Sequence, residues 1–206
     1  MASDEDPLEK LIEQGGSEPI KIFEERNAVC PACGANKLSI SEYIYHVKYF
    51  NRIVISVGGC RSCGYSFRDV RLAEVSNPSK IIINVESDEV LNLLVAKSPI
   101  SSIYIPEIDV SMVPGPASLG FITTVEGLID KFIEVASSAC LNVEDSENKA
   151  KCEDALKKLL KAKEGKLKVK IVICNYDGLS KVADGSWIKE TQLDGECEKL
   201  KPSWLH

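Results

Sequence analysis

Histidine is nearly absent from the 206-residue chain, which has only His46 and the terminal His206. Chemistry built on paired imidazoles, whether metal catalysis or an oriented general base, has almost no material here. Long apolar runs are also missing. Stretches such as Ile81–Ile83 and Ile171–Ile173 fall far short of the roughly 20 residues that span a bilayer. The opening Met1–Pro7 is acidic, where a secretory signal would be basic and then apolar. The expectation is therefore a cytoplasmic protein with no membrane contact. Neither a GxxxxGK[ST] phosphate loop nor an HExxH zinc-protease motif occurs, so the chain is expected not to be an enzyme. At 44% hydrophobic and 27% charged residues, collagen, low-complexity and wholly disordered classes are excluded. The length allows one good-sized domain or two small ones. The net charge of −6 sets the chain as a whole against phosphate backbones, so nucleic acid would need a local basic patch.

Cysteine, by contrast, is plentiful and unevenly placed. Cys30-Pro-Ala-Cys33-Gly34 and Cys60-Arg-Ser-Cys63-Gly64 repeat one spacing, in which two thiolates share a tight turn and a glycine relieves its crowding. Two such turns supply four soft anionic ligands for a tetrahedron. Zinc suits that set, and rubredoxin-like iron or an iron–sulfur cluster meets the same softness criterion. Lys37–Val47 and Arg52–Val57, rich in Ile, Val and Tyr and separated by Tyr49-Phe50-Asn51, read as a β-hairpin that carries the second turn back to the first. Tyr65-Ser-Phe-Arg-Asp-Val70 alternates like a further strand, which argues against a redox CxxC at a strand-to-helix junction. The expectation is a zinc ribbon with one structural Zn2+ held by Cys30, Cys33, Cys60 and Cys63. A closed four-cysteine shell leaves no open position for substrate. His46, alone inside a strand, reads as structural.

Around the ribbon, residues 1–27 read as an acidic, solvated arm, since eight acidic and three basic side chains precede Cys30 and Gly15-Gly16 interrupts any helix. The ribbon itself spans 28–72. Residues 73–185 read as a β domain: a strand at Lys80–Val85, a short helix over Ser87–Ala96, and a strand pair over Ile103–Met112 bent at Pro106. After the turn-rich Val113–Gly120, Thr123-Thr-Val-Glu126 reads as a capping box. Apolar stripes at Val125, Leu128, Ile129, Phe132, Ile133 and Ala136, then at Cys152, Ala155, Leu156, Leu159 and Leu160, predict a helical hairpin over about 124–164. Cys140 and Cys152 lie symmetrically about its tip. Two buried thiols are the expectation in a reducing cytosol, with a bridge as the alternative. Leu167–Ile173 reads as the final strand, and 186–206 as a polar tail with Trp187 and Trp204 as anchors.

With these residues in view, the chain resembles the ZPR-type zinc-finger family in its archaeal, single-module form, the eukaryotic members carrying two tandem modules. One stretch carrying the match is the ribbon: Cys30–Gly34, Tyr49-Phe50, Cys60–Tyr65 and Arg68-Asp69-Val70. The other is Ile105-Pro-Glu-Ile-Asp109 followed by Gly120-Phe-Ile-Thr-Thr-Val-Glu-Gly127. Where family members often read Asp-Asp-Pro-x-Gly-Asn-Ser, this chain has Asn175-Tyr-Asp-Gly-Leu-Ser-Lys181. The resemblance implies a mainly β fold: a four-cysteine ribbon joined to a small double-stranded β-helix-like domain with an inserted helical hairpin. It also implies a non-enzymatic adaptor or chaperone that binds translation elongation factor one-alpha.

For such a partner, Tyr49 and Phe50 offer aromatic anchors and Arg61 and Arg68 offer cations. The alternative is a nucleic-acid-binding ribbon. Six basic and two acidic side chains between residues 30 and 72 leave +4, but zinc with four thiolates carries −2 and reduces this to +2. The patch has the right sign and too little charge for salt-resistant binding. An iron enzyme on the implied β fold is excluded by the missing histidine pair.

Overall fold

The computed structural model describes residues 19–141, 145–183 and 185–205. The chain divides into two compact units, Met1–Glu74 and Val75–His206. The first is an antiparallel four-stranded sheet in the order β1-β2-β3-β4, formed by β1 (Ile20–Val29), β2 (Asn36–Val47), β3 (Asn51–Cys60) and β4 (Ser66–Leu72). The expected hairpin is β2–β3, with Val47 opposite Asn51 and Leu38 opposite Cys60. Its turn places Tyr49 and Asn51 in the left-handed region, at φ 76° and 60°. Asn tolerates that conformation, whereas Tyr adopts it less often.

The arm reading needs correction over its second half. Ile20–Val29 is a paired strand, with Ile20 opposite Ile44 and Ala28 opposite Leu38. Its charged, nearly all-exposed sequence hides the pairing because an edge strand buries little on either face. The expected arm residues before Pro19 lie outside the described residues. Across the sheet, Arg71 grips Glu42 with two nitrogens, at 3.1 and 3.3 Å, and Ser56 donates to the same carboxylate at 2.6 Å. The Arg71 contacts, aided by Ser56, hold the Glu42 carboxyl below its ordinary range against the effect of burial.

The second unit packs a five-stranded and a three-stranded antiparallel sheet with a helical hairpin. The larger sheet runs β12-β5-β10-β7-β8, from β5 (Ser79–Val85), β7 (Ser102–Ile105), β8 (Val110–Met112), β10 (Val169–Asn175) and β12 (Ile188–Thr191). The smaller runs β11-β6-β9, from β6 (Leu94–Lys97), β9 (Phe121–Thr124) and β11 (Lys181–Val182). Among the described residues four helices accompany them: α1 (Asp88–Leu91), α2 (Val125–Leu141), α3 (Ser146–Lys163) and α4 (Gly195–Lys199). Alternate residues Ile81 and Ile83 of β5, Ile103 and Ile105 of β7, and Ile171 and Ile173 of β10 meet Leu128, Ile129 and Phe132 of α2 and Leu159 of α3 in one core.

Several expectations in this unit are corrected. The helix expected over Ser87–Ala96 lasts one turn, because Leu94–Lys97 pairs with β9 and the pairing fixes an extended backbone. Phe121–Thr124 is therefore a strand, and the helix that follows is capped by Thr124, not Thr123: Gly127 N–H donates to Thr124 Oγ1 at 3.0 Å. With Gly127 at the third helical position, no glutamate completes a capping box. Asp145 caps α3 through Asn148 N–H at 2.9 Å, and Gly165 ends it at φ 68°. Leu160 is exposed rather than core, and Ala162 takes the buried place.

The strand at Leu167–Ile173 is not the last, nor is 186–206 a tail. β12 pairs with β5, Ile188 lying opposite Ile83. Beyond it α4 covers the outer face of β10, where Cys174 and Cys197 form a disulfide. That explains why β10 is buried on both faces except at Lys170. Lys80 fastens α4 with bonds of 2.6 Å to Asp194 and 2.9 Å to Glu196. A second disulfide, Cys140–Cys152, joins α2 to α3 with Cα atoms 5.7 Å apart, in place of the two thiols expected. No helix among the described residues is long and apolar enough to cross a membrane.

Candidate metal centre

Two turns with the same backbone wiring build the centre. In the first, Gly34 N–H donates to Cys30 C=O at 2.8 Å and Cys30 N–H to Ala35 C=O at 2.9 Å; in the second, Gly64 N–H donates to Cys60 C=O at 3.0 Å and Cys60 N–H to Tyr65 C=O at 2.8 Å. Gly34 and Gly64 both sit in the left-handed region, at φ 71° and 76°, which only glycine adopts freely. The strand pairing of Leu38 with Cys60 holds the turns side by side.

The four sulfurs all lie within 4.8 Å of one another. Cys30 Sγ is 3.7 Å from Cys63 Sγ, and Cys33 Sγ is 3.8 Å from Cys60 Sγ. A tetrahedron with zinc–sulfur bonds of about 2.3 Å has sulfur–sulfur edges of about 3.8 Å, so the cluster has the size that one zinc requires. Cys30 and Cys60 are buried and Cys33 and Cys63 exposed. Leu38, Ile40, Tyr65 and Phe67 pack beneath. Gly58 belongs to this support, although nothing in the CxxC spacing signals it. It pairs with Phe67, and a side chain there would collide with the Phe67 ring.

Four thiolates this close cannot all be ionised without a cation between them. The Ser62 N–H, followed by Cys63 N–H and the neighbouring sulfurs, draws Cys60 down to about 7 against the opposing effect of burial. For Cys63, the Tyr65 N–H favours the thiolate, but Cys33, burial and the other sulfurs outweigh it and push the thiol up to about 12. A divalent ion reverses that repulsion, as a coordinating thiol deprotonates outright.

The other residues singled out from sequence are dispersed. His46 pairs with Arg52 at the hairpin turn, eight residues along β2 from Leu38, or roughly 26 Å at the usual strand rise, and stands apart from the sulfurs. Tyr49 is 51% exposed at that turn, whereas Phe50 is only 4% exposed and belongs to the interior, which corrects its reading as a surface anchor. Arg61 is exposed in the second cysteine turn and Arg68 is exposed on β4, opposite Val57. Tyr49 and Arg61 thus lie at opposite ends of β3. Of the remaining cations in the ribbon, Arg71 is engaged by Glu42 and Arg52 by Glu74, which thins the patch available to phosphate.

A family model described as the ZPR1 jelly-roll domain matches residues 89–199, from α1 to the end of α4. The chain belongs to the ZPR1 family. It is 31% identical to a ZPR1-like protein of Methanocaldococcus jannaschii over 84% of this chain and 87% of that one. A ZPR1-like protein of Pyrococcus horikoshii is also 31% identical, over 86% of this chain and 81% of the relative. The zinc finger chaperone zpr1 of Schizosaccharomyces pombe is 34% identical over 54% of this chain but 24% of its own length. The chain is thus a ZPR1-type protein in the single-module form of its archaeal relatives. A jelly roll is two facing antiparallel sheets, so the match agrees with the β-helix-like fold expected. The zinc-finger names of the relatives and the four-cysteine cluster together support one structural zinc.

Proposed function

We propose that this ZPR1-family protein acts without chemistry, as an adaptor or chaperone that binds translation elongation factor one-alpha, and that Cys30, Cys33, Cys60 and Cys63 ligate its zinc. The observation that carries the reading is the sulfur cluster, in which four ligands of one kind at tetrahedral spacing fill every position of a structural zinc site. Such a site crosslinks two turns and leaves the metal no place for a substrate. The chaperone name of the fission yeast relative supports a protein partner. The identity of the partner rests on the family resemblance.

On the ribbon, Tyr49 and the cations Arg61 and Arg68 are the contacts we assign to the factor, with Phe50 acting from below as the residue that seats the turn. Because Tyr49 and Arg61 flank the length of β3, the partner would lie along the strand. The test is calorimetric titration of the zinc-loaded protein with purified elongation factor in its GDP, GTP and nucleotide-free forms. Binding in at least one state, weakened by Tyr49→Ala and by Arg68→Glu at unchanged zinc content, is the expected result. No heat of binding in any state would reject the partner, and equal affinity of both variants would reject the ribbon surface.

A further inference from the structure

A cavity of about 470 Å³ opens within the second unit, between the β7–β8 hairpin and the helical hairpin. Its size falls in the roughly 300–1,000 Å³ range of sites that receive a ligand group. Ile108, Phe132, Val135, Ala139 and Leu159 give it an apolar lining. Val135 remains 55% exposed at this site, an apolar side chain with water where a partner would give it contact.

Three charged residues join the lining: Asp109, Lys151 and Asp154. Two are already neutralised, Lys151 by Glu147 at 2.8 Å and Asp154 by Lys158 at 2.7 Å. Asp109 is in no ion pair among the described residues and is exposed. It also lines a neighbouring cavity of about 240 Å³, so it stands between two recesses. The other residues of its turn have structural work: Ile105 and Ile108 are core, and Glu107 accepts the Lys170 N–H at 3.0 Å. Asp109 holds a left-handed backbone, at φ 58°, which Asn would serve as well. Its charge is thus engaged by no ion pair among the described residues, and Lys199 is the cation that lines the second recess with it.

We propose that this groove docks a segment of a partner protein that inserts an apolar side chain between the two hairpins and sets an adjacent lysine or arginine against Asp109. The charge balance selects that occupant, since an apolar floor bordered by one uncompensated carboxylate favours an apolar residue flanked by a cation and disfavours one flanked by an acid. The site is lined by residues of the second unit alone and does not depend on the identity of the partner proposed above.

The test is panning of a random dodecapeptide phage library on the full, zinc-loaded chain, followed by fluorescence anisotropy with the enriched peptides. Enriched sequences should place Lys or Arg next to Leu, Ile or Phe. Ala139→Trp, at an exposed helical position that narrows the opening, should weaken binding by about tenfold or more, the equivalent of about 1.4 kcal/mol. Asp109→Asn should weaken it by about threefold, with loss of most of its salt dependence. Melting temperatures serve as the folding control, and Asp109→Asn decides alone if Ala139→Trp lowers the melting point. Absence of enriched peptides, enriched peptides without a basic flank, or peptides that bind both variants undiminished would overturn the proposal. So would a dimer of this chain that Ala139→Trp abolishes, because the occupant would then be a second copy.

Discussion

The two units solve the same problem with different means. The ribbon is a single sheet whose buried apolar residues at the cysteine end are few, with Leu38 beside Cys30 and Cys60 and only partly buried neighbours around them. The second unit closes a continuous core between its sheets and the helical hairpin, with Ile83, Ile103, Ile105, Leu128, Ile129, Leu159, Ile171 and Ile173 fully buried. It then adds two disulfides. Small units that cannot bury enough apolar surface depend on a metal or covalent staples, and larger ones do not. The first unit should accordingly live or die with its metal, and the second should lose stability by increments.

The largest effect tests that division directly. Structural zinc contributes about 10–16 kcal/mol in small fingers, against about 5–15 kcal/mol for a whole domain. Chelation of the metal, or Cys63→Ser, should therefore unfold Ile20–Leu72 and leave β5–β12 protected. Amide hydrogen exchange read strand by strand checks this, and elemental analysis should find one zinc per chain. Simultaneous loss of protection in Ile171–Ile173 would erase the contrast between the units.

Cys174 and Cys197 come next, with a sequence separation of 23. A loop of that length corresponds to about 3 kcal/mol of denatured-state constraint, so Cys174→Ala with Cys197→Ala should lower stability by about that much in thermal melts. The loss should be confined to the second unit. Alkylation of unreduced, denatured protein should label neither these two cysteines nor Cys140 and Cys152.

A smaller effect of opposite sign is expected at Lys97. The residue is 5% exposed. Burial, assisted by Lys131 and opposed by Asp177, brings its amine down to about 8 from 10.5. The unfolded chain therefore binds more protons between about pH 8 and 10.5, and this group makes stability rise with pH across that window, while its full penalty applies below pH 8. Lys97→Met should stabilise the protein by about 2 kcal/mol at pH 6 and remove that component of the rise. Denaturant midpoints of parent and variant, compared from pH 6 to 10.5, would show it. Parallel curves would mean the ammonium is better accommodated than its 2.8 Å bond to the Ser98 carbonyl and its place 5.7 Å from the Phe121 ring centroid imply.

The smallest change in stability belongs to the exposed ribbon surface. Tyr49→Ala and Arg68→Glu should shift stability by no more than about 0.5 kcal/mol, while lowering affinity for the elongation factor. A large drop in melting temperature for Tyr49→Ala would instead make that residue a structural clamp on Phe50.

Much of the molecule could be read without coordinates where a local rule has no competitor. The CxxC-Gly spacing determines a turn with two thiolates, and its duplication across a β-patterned stretch determines a ribbon. The apolar stripes of Val125–Phe132 and Ala155–Leu159 determine amphipathic helices, because a 3.6-residue period has no other use. Local signals failed where two structures competed for the same residues. Leu94 and Val95 fit a helical stripe, yet a partner strand brought from Phe121–Thr124 claims their backbone. Ile20–Val29 carries the charges of a solvated arm, and only its pairing with β2 reveals a strand. Phe50 looked like its neighbour Tyr49, and tertiary packing sent one ring inward and left the other in water.

The amino-acid sequence by itself determined which atoms could bind metal, that two turns of like geometry would hold them, and which faces of the two long helices would be apolar. Only the tertiary structure decided that Cys174 would meet Cys197, that the segment after Gly185 would close the sheet, and that Asp109 would enter no ion pair among the described residues. The first set depends on spacings of a few residues, which the backbone geometry fixes locally. The second depends on contacts between residues far apart in the chain, such as Lys80 with Asp194, whose partners are set by the order of strands in a sheet and leave no periodic trace in sequence.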